Sequence, residues 1–421
     1  MVLGFALLAV VLMLLSVPLF FVFGVSSAAI AVWGLNLPAH TLMQVSFDAV
    51  SKQVLVAIPI FVFAGNVMFH GGSARRLVDL GVSAVGHLPG GLGIAMILSI
   101  AVFSAISGSI LASIVAIGGV LMKPMVEKGY PKPFVIVLAA TAALMDALIP
   151  PSNTAIIYSS ITHVPVSKAF AAGVFPGLLL GGLLLIYVMW TCRHMDRPAP
   201  QPWSQRVRAF VVATPSLLLP VLILGGLYGG LLTPAESASL ASVYALGLGV
   251  FVYRELTWRG FWRATRATAE TTAVIFAIIA MAVYFSIIMT YTKTPQAIVQ
   301  FFVEYNIGPI TFMILAGVAI IILGTFMEAV PVFYLTLPIM YPISTALKID
   351  PLHFYVFITG LIGIGLITPP VCVGVYTAAA ILRTPPQQAF RAVPGFFMVG
   401  MIYAIIVMFV PGLATWLPGF W

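Results

Sequence analysis

Apolar runs of about 20 residues follow one another along nearly the whole chain, from residue 2 to residue 413. That length crosses the hydrocarbon core of a bilayer as an α-helix. In lipid no water meets a backbone N–H or C=O, so a spanning segment must satisfy those groups itself or close into a barrel. Strand-length alternation of polar and apolar residues is absent, which argues against a barrel. The chain therefore reads as an all-α polytopic membrane protein. Its composition agrees: of 421 residues 62% are hydrophobic and 7% charged, and mean hydropathy is +1.14. The longest polar loop is only about 192–209, so no soluble domain separates out.

Full crossings fit residues 2–34, 54–70, 133–163, 169–192, 207–230, 234–253, 270–290, 352–382 and 386–413. The first charged residue is Asp48, so the start lacks the basic region of a cleavable signal and reads as a retained span. Two segments, 91–124 and 308–342, are too long for one helix and short for two spans. Each breaks near its middle, at "ISGSILAS" (106–113) and "GTFMEAVP" (324–331). Both read as re-entrant hairpins whose tips stop at mid-depth, where they survive only if buried in protein or lining a polar cavity. Residues 37–52 and 255–270 read as amphipathic interfacial arms, outer and inner, the inner one anchored by Trp and Arg.

The charges test this arrangement. With the N-terminus inside, fifteen of the nineteen Lys and Arg residues fall on the inner side. Lys52, Lys168, Lys293 and Lys348 fall outside. This satisfies the positive-inside rule and places the C-terminus outside. It also explains the net charge of +8 without nucleic acid. Cys192 and Cys372 suggest neither a disulfide nor a metal site.

"LIPPSNTAIIYSS" (148–160) is echoed by "LITPPVCVGVYTAAA" (366–380), and "AFAAGVFPG" (169–177) by "AFRAVPG" (389–395). The offset is about 218–220 residues over more than 60 positions, an internal duplication. The first copy runs inside to outside through 133–163, the second outside to inside through 352–382. Two inverted repeats follow, 1–206 and 207–421, each with a re-entrant hairpin and a discontinuous helix. Secondary transporters are built this way, with the site at the midplane between repeats. Each proline pair removes two N–H donors and unwinds the chain, leaving carbonyls for a cation and a half-helix N-terminus for an anion.

"IPIFVFAGNVMFHGGSARRLVDL" (58–80), "GHLPGGLGIAMILSIAVFSAISGSILAS" (86–113), "LIPPS" (148–152), "GGLLTPAESASLASVYAL" (229–246) and "GTFMEAVPVFYLTLPIMYPI" (324–343) resemble the large membrane subunit of tripartite ATP-independent periplasmic (TRAP) transporters, over nearly the whole chain. The resemblance implies an elevator-type, usually sodium-driven importer of organic acids. It also implies two partners, a small four-helix membrane subunit and a periplasmic substrate-binding protein. No small subunit is expected to be fused, since the chain opens at the first large-subunit span. This sequence departs from the family in having Asp146 where small residues are common, Glu328 where Asp is common, and Ala112-Ser113 after the first tip.

Two cation sites are expected. The first draws on Ser107, Gly108, Ser109, Pro150, Ser152 and Asn153, the second on Gly324, Thr325, Glu328, Thr368 and Pro369, with Na+ as the ion. Asp146, Ser109, Asn153 and Thr325 are candidates for the substrate cavity or for coupling. Alternative roles stand beside these: Asp146 as a capped or protonated residue, the hydroxyls as helix caps. Thr325-x-x-Glu328 and Thr233-x-x-Glu236 both have the capping-box pattern. His70, His87 and His163 lie near span ends and read as interfacial. No Ser-His-Asp order, HExxH or P-loop supports an enzyme or an ATPase. A stand-alone sodium/anion symporter and a passive channel remain as alternative readings.

Overall fold

The computed structural model describes residues 11–12, 17–38, 40–195 and 198–420. Residues 2–10 and 13–16 of the first predicted span therefore lie outside the described residues; its end is the helix Leu19–Ala29 continuing into Ile30–Gly34. Every described element is helical. Among the described residues eight helices are long and apolar enough to cross a membrane, or nine if the bent pair at the C-terminus is one span.

The two proline-pair segments are broken helices. The first runs Lys132–Ala142, tightens to a 3-10 turn over Ala143–Ala147, opens, and resumes at Asn153–Thr162. The second runs Pro351–Ile367 and resumes at Val373–Ile381. Both Pro-Pro bonds are cis. The broken helices hold the centre of the molecule: every residue from Phe134 to Leu148 and from His353 to Ile367 is buried. They run antiparallel. The Tyr158 hydroxyl, near the end of the first, donates to Pro351 O at the start of the second (2.6 Å). At the opposite end, a Cβ on Gly374 would stand 3.6 Å from Ala140.

Each break receives a hairpin tip. The first hairpin is Gly91–Ser107, a two-residue turn at Gly108 and Ser109, then continuous helical turns from Ile110 to Glu127. Its second arm is long enough to span, but length does not decide its course. A Cβ on Gly93 would lie 3.8 Å from Met125 Cε, so the far ends of both arms sit together. The second hairpin has arms Pro309–Phe326 and Ala329–Ala346, 18 residues each. The far end of the first arm meets the start of the second broken helix, and that of the second arm meets the end of the first broken helix. Phe312 stacks on Phe354 with centroids 5.9 Å apart, and Tyr341 meets Tyr158 edge-on.

Long outer helices wrap this core. Helix 57–70 is tied to the helix starting at Pro234 by Ser242 Oγ donating to Ile60 O (3.0 Å), and to the helix starting at Trp258 by Asn66 Nδ2 donating to Thr268 Oγ1 (3.0 Å). Trp203, Val221, Phe251 and Trp258 face outward, as lipid-facing residues do. The outer amphipathic arm forms as His40–Val50, with Ser46 Oγ donating to Ala280 O (3.1 Å).

Four features correct the sequence reading. The inner arm 255–270 is not separate from the span 270–290. Trp258–Tyr291 is one helix of 34 residues, because Gly260 in its first turn is its only glycine and it contains no proline. Ser73–Val85 and Thr294–Glu304, which lie between predicted elements, are amphipathic helices. The segment 386–413 enters through a 3-10 turn, Pro386–Arg391, and its helix Val393–Phe409 bends by 79° into Gly412–Phe420 at Pro411. Finally, Thr325 does not head a capping box. It lies in the last turn of the first arm, where its hydroxyl donates to Ile322 O (2.8 Å), and Glu328 is itself the N-cap residue of the second arm. The Thr233–Glu236 box does form, with both reciprocal bonds present.

Candidate functional site

At the first tip Gly108 has φ +59, which suits glycine, and it lies directly over the break. A Cβ there would stand 2.8 Å from Pro151 O and 3.6 Å from Asn153 Oδ1. The tip and the break thus bring a backbone carbonyl and a carboxamide oxygen to one point. Asn153 Oδ1 is buried without a hydrogen-bond partner. Pro150, Pro151, Ser152 and Asn153 are all buried, and Ser109 is half-buried. Of the six residues expected at this site, Gly108 and Asn153 converge most directly. An unpaired buried carboxamide oxygen beside a backbone carbonyl suits a hard monovalent cation, although the Asn153 backbone nitrogen lies near the same point.

Ser152 does something else. Its hydroxyl donates to Ala147 O (2.8 Å), across the break, and makes no bond to a helix N–H. Thr154 Oγ1 and the Tyr355 hydroxyl donate to the same carbonyl, at 2.6 and 3.2 Å. Ala147 O is therefore saturated and is not one of the carbonyls the break leaves free. Thr154 and Tyr355 are missing from the sequence-based set. Thr154 adjoins Asn153 and was within reach of that reasoning. Tyr355 comes from the other broken helix, 201 residues from Thr154, and carries no local signal.

Asp146 turns toward the hairpin. Ser107 Oγ donates to its Oδ1 (2.8 Å), Ser113 Oγ lies 3.1 Å from Ser107 Oγ, and Ser104 stands beside the same carboxylate. The residue is fully buried, and Oδ2 has no partner. The two ion pairs among the described residues, Arg76–Glu255 and Arg266–Glu270, do not involve it.

The second site is assembled by backbone. A Cβ on Gly324 would stand 2.8 Å from Ile362 O and 3.1 Å from Gly365 Cα, so the hairpin crosses the broken helix at glycine distance. Cys372 N donates to Thr325 O (3.0 Å), pinning the tip to the break. Thr368 returns its hydroxyl to Ile364 O (2.7 Å), and Pro369 is half-buried beside it. Glu328 is half-buried at the tip, and its side chain makes none of the hydrogen bonds or ion pairs found among the described residues.

Two cavities flank the bundle. One of about 660 Å³ is lined by Arg75, Asp79, Ser83, Leu92 and Gln201, the other of about 400 Å³ by Gln53, Ser167, Leu227 and Thr233. Neither includes a tip or break residue. Burial pushes the Asp79 carboxyl up, against the pull of Arg75 and Arg76.

The fold has a solved counterpart. The chain superposes on the YdaH transporter of Alcanivorax borkumensis with a TM-score of 0.61 at 16% identity, covering 90% of this chain and 88% of that one. Among relatives, the C4-dicarboxylate TRAP transporter large permease protein DctM of Vibrio cholerae is 33% identical, covering 98% of this chain and 96% of that protein. The isethionate TRAP transporter permease protein DctMQ of Oleidesulfovibrio alaskensis is 34% identical over 97% of this chain and 65% of that longer protein. The profile of the tripartite ATP-independent periplasmic transporter DctM component matches residues 6–413. The chain thus belongs to the DctM family of tripartite ATP-independent periplasmic transporters, as a multi-pass permease subunit and not an enzyme.

Proposed function

We propose that this subunit imports an organic acid anion across the bacterial inner membrane, driven by sodium. It works with a periplasmic substrate-binding protein and a small membrane subunit. The observation that carries the cation coupling is the meeting of Gly108, Pro151 O and the unpaired Asn153 Oδ1 in a buried break. The second ion site is drawn from Gly324, Thr325, Glu328, Thr368 and Pro369. Antiparallel broken helices, each with its own hairpin, support the inverted-repeat reading and a site between the repeats. The hairpins and broken helices form the block that moves, and the helices from Trp203 to Tyr291 form the scaffold, as an elevator requires. A cation drawing tip and break together completes the anion pocket beside it, and the two ligands are thereby coupled.

The cargo is an anion of the class taken by the relatives. Those two relatives, nearly equal in identity, are named for a C4-dicarboxylate and for isethionate, a sulfonate. Overall identity therefore does not select between carboxylate and sulfonate. The extra length of the DctMQ relative fits a small subunit fused to the permease. Residues assigned to the inner face do cluster, with Arg206 Nη2 3.5 Å from His87 Nδ1 and Arg76 paired with Glu255 (2.8 Å), in keeping with a cytoplasmic N-terminus.

The test is uptake of labelled succinate and isethionate into proteoliposomes holding both membrane subunits, with the binding protein outside. Accumulation above equilibrium that needs an inward sodium gradient and the binding protein is expected. Equilibration alone indicates a channel. Full uptake without the binding protein indicates a stand-alone symporter.

A further inference from the structure

A second group of unspent oxygens surrounds Asp146, one helical turn before the break. An ionised carboxylate only accepts, so Ser107 gives its single hydroxyl hydrogen to Oδ1. Ser107 Oγ in turn receives the backbone N–H of Ser109 (3.4 Å). Ser113 Oγ lies 3.1 Å from Ser107 Oγ, and with the Ser107 hydrogen committed to Oδ1 it is Ser113 that donates in this pair. Ser104 gives its hydrogen to Ile100 O (2.7 Å). Every hydroxyl hydrogen in the cluster is used. What is left is acceptors alone: Asp146 Oδ2, Ser113 Oγ and Ser104 Oγ. Asp146, Ser104 and Ser113 are each fully buried.

A carboxylate in a membrane interior costs roughly 2.5–3.5 kcal/mol even on insertion scales, and no Lys or Arg among the described residues pairs with this one. We propose that Asp146 Oδ2, Ser104 Oγ and Ser113 Oγ bind a monovalent metal cation of sodium size, in addition to the ion at the tip and break. Oxygen-only ligation selects a hard cation. One negative charge with two neutral hydroxyls is balanced by one positive charge, whereas a divalent ion leaves a surplus in the core. The site is built mostly from one hairpin, with Asp146 from the broken helix closing it. Ion binding there holds hairpin and helix together through Ser107, and it adds one cation to each transport cycle. This last step rests on the sodium-coupled reading above; binding itself does not.

The experiment counts bound sodium-22 on the purified chain at pH 6.5 and pH 8, for the unmodified protein, Asp146→Asn, Ser113→Ala and Asn153→Ala. Asp146→Asn is expected to lose one equivalent of sodium at both pH values. Ser113→Ala keeps the carboxylate and is expected to weaken sodium at that site several-fold. Asn153→Ala is expected to lose a different equivalent, so its loss adds to that of Asp146→Asn. A sodium count unchanged by Asp146→Asn and Ser113→Ala, while Asn153→Ala still lowers it, overturns the additional site and leaves the coupled reading intact. An Asp146-dependent equivalent that is replaced by a proton on moving from pH 8 to pH 6.5 also overturns it, since Oδ2 then carries hydrogen. Loss of sodium from none of the variants, together with sodium-independent uptake, sinks the coupled reading itself.

Discussion

The two breaks share a backbone device and differ in everything placed around it. Both carry a cis Pro-Pro bond, and both are met by a glycine-containing hairpin tip. The first break is sealed: from Pro150 to Ser160 every residue is buried. It is also crowded with side-chain oxygen, from Ser152, Asn153, Thr154, Tyr355 and, one turn earlier, Asp146. The second break is open. Pro370 is exposed and Val371 is 39% exposed. Its one side-chain hydroxyl, Thr368, is turned back to its own helix, and the tip is held by a main-chain bond, Cys372 N to Thr325 O. The prolines supply the unwinding in each case. Whether the unwound turn then becomes a dry oxygen cage or an accessible junction is set by side chains and by how much protein covers it.

The sharpest way to break this comparison is to disturb both tips equally. Gly108→Ala meets Pro151 O at 2.8 Å from a positive-φ position, and Gly324→Ala meets Ile362 O at 2.8 Å. Both contacts are to backbone, which cannot swing aside. Uptake by either variant is expected to fall by roughly tenfold or more, the consequence of about 1.4 kcal/mol or more. Normal uptake by Gly324→Ala alone would show that the second tip does not close on its break.

Removing the charge at Glu328 comes next. Glu328→Gln is expected to raise the sodium concentration for half-maximal uptake several-fold while leaving maximal uptake near its original value. A drop in maximal uptake at unchanged sodium dependence would place Glu328 in substrate handling instead.

Tyr355→Phe tests the link between the repeats. Ala147 O keeps two donors, Ser152 and Thr154, so the loss is one ordinary hydrogen bond, about 0.5–1.5 kcal/mol. A fall of roughly two- to tenfold in sodium affinity is expected on that scale, read from uptake against sodium concentration. The smallest effect belongs to Thr368→Val, whose hydroxyl serves only its own helix among the bonds found here. Sodium affinity is expected to stay within about twofold of the original. If Thr368→Val weakens sodium more than Tyr355→Phe does, the contrast between a side-chain cage and a backbone junction fails.

Much of this was legible in the primary structure, and the reasons are local. Apolar length announces a span, a proline pair removes donors wherever it sits, and "SGS" between two apolar arms is a turn whatever surrounds it. Those features located the hairpins and the breaks. Helix 258–291 was divided in two because the change from amphipathic to apolar residues near Glu270 suggested a boundary, yet backbone hydrogen bonding continues through it. Ser73–Val85 carries an apolar periodicity of its own, legible from the sequence as an amphipathic helix.

Tertiary structure alone decided which oxygens meet. Nothing near Ala147 indicates that Tyr355, 208 residues away, would saturate its carbonyl. Nor does the sequence show that Asp146 faces Ser107 and, through it, Ser113. Backbone breaks follow from covalent geometry within a few residues. Hydrogen-bond partners across a packed interior depend on rotamers and on the register between helices, and these are settled only when all the helices have come together.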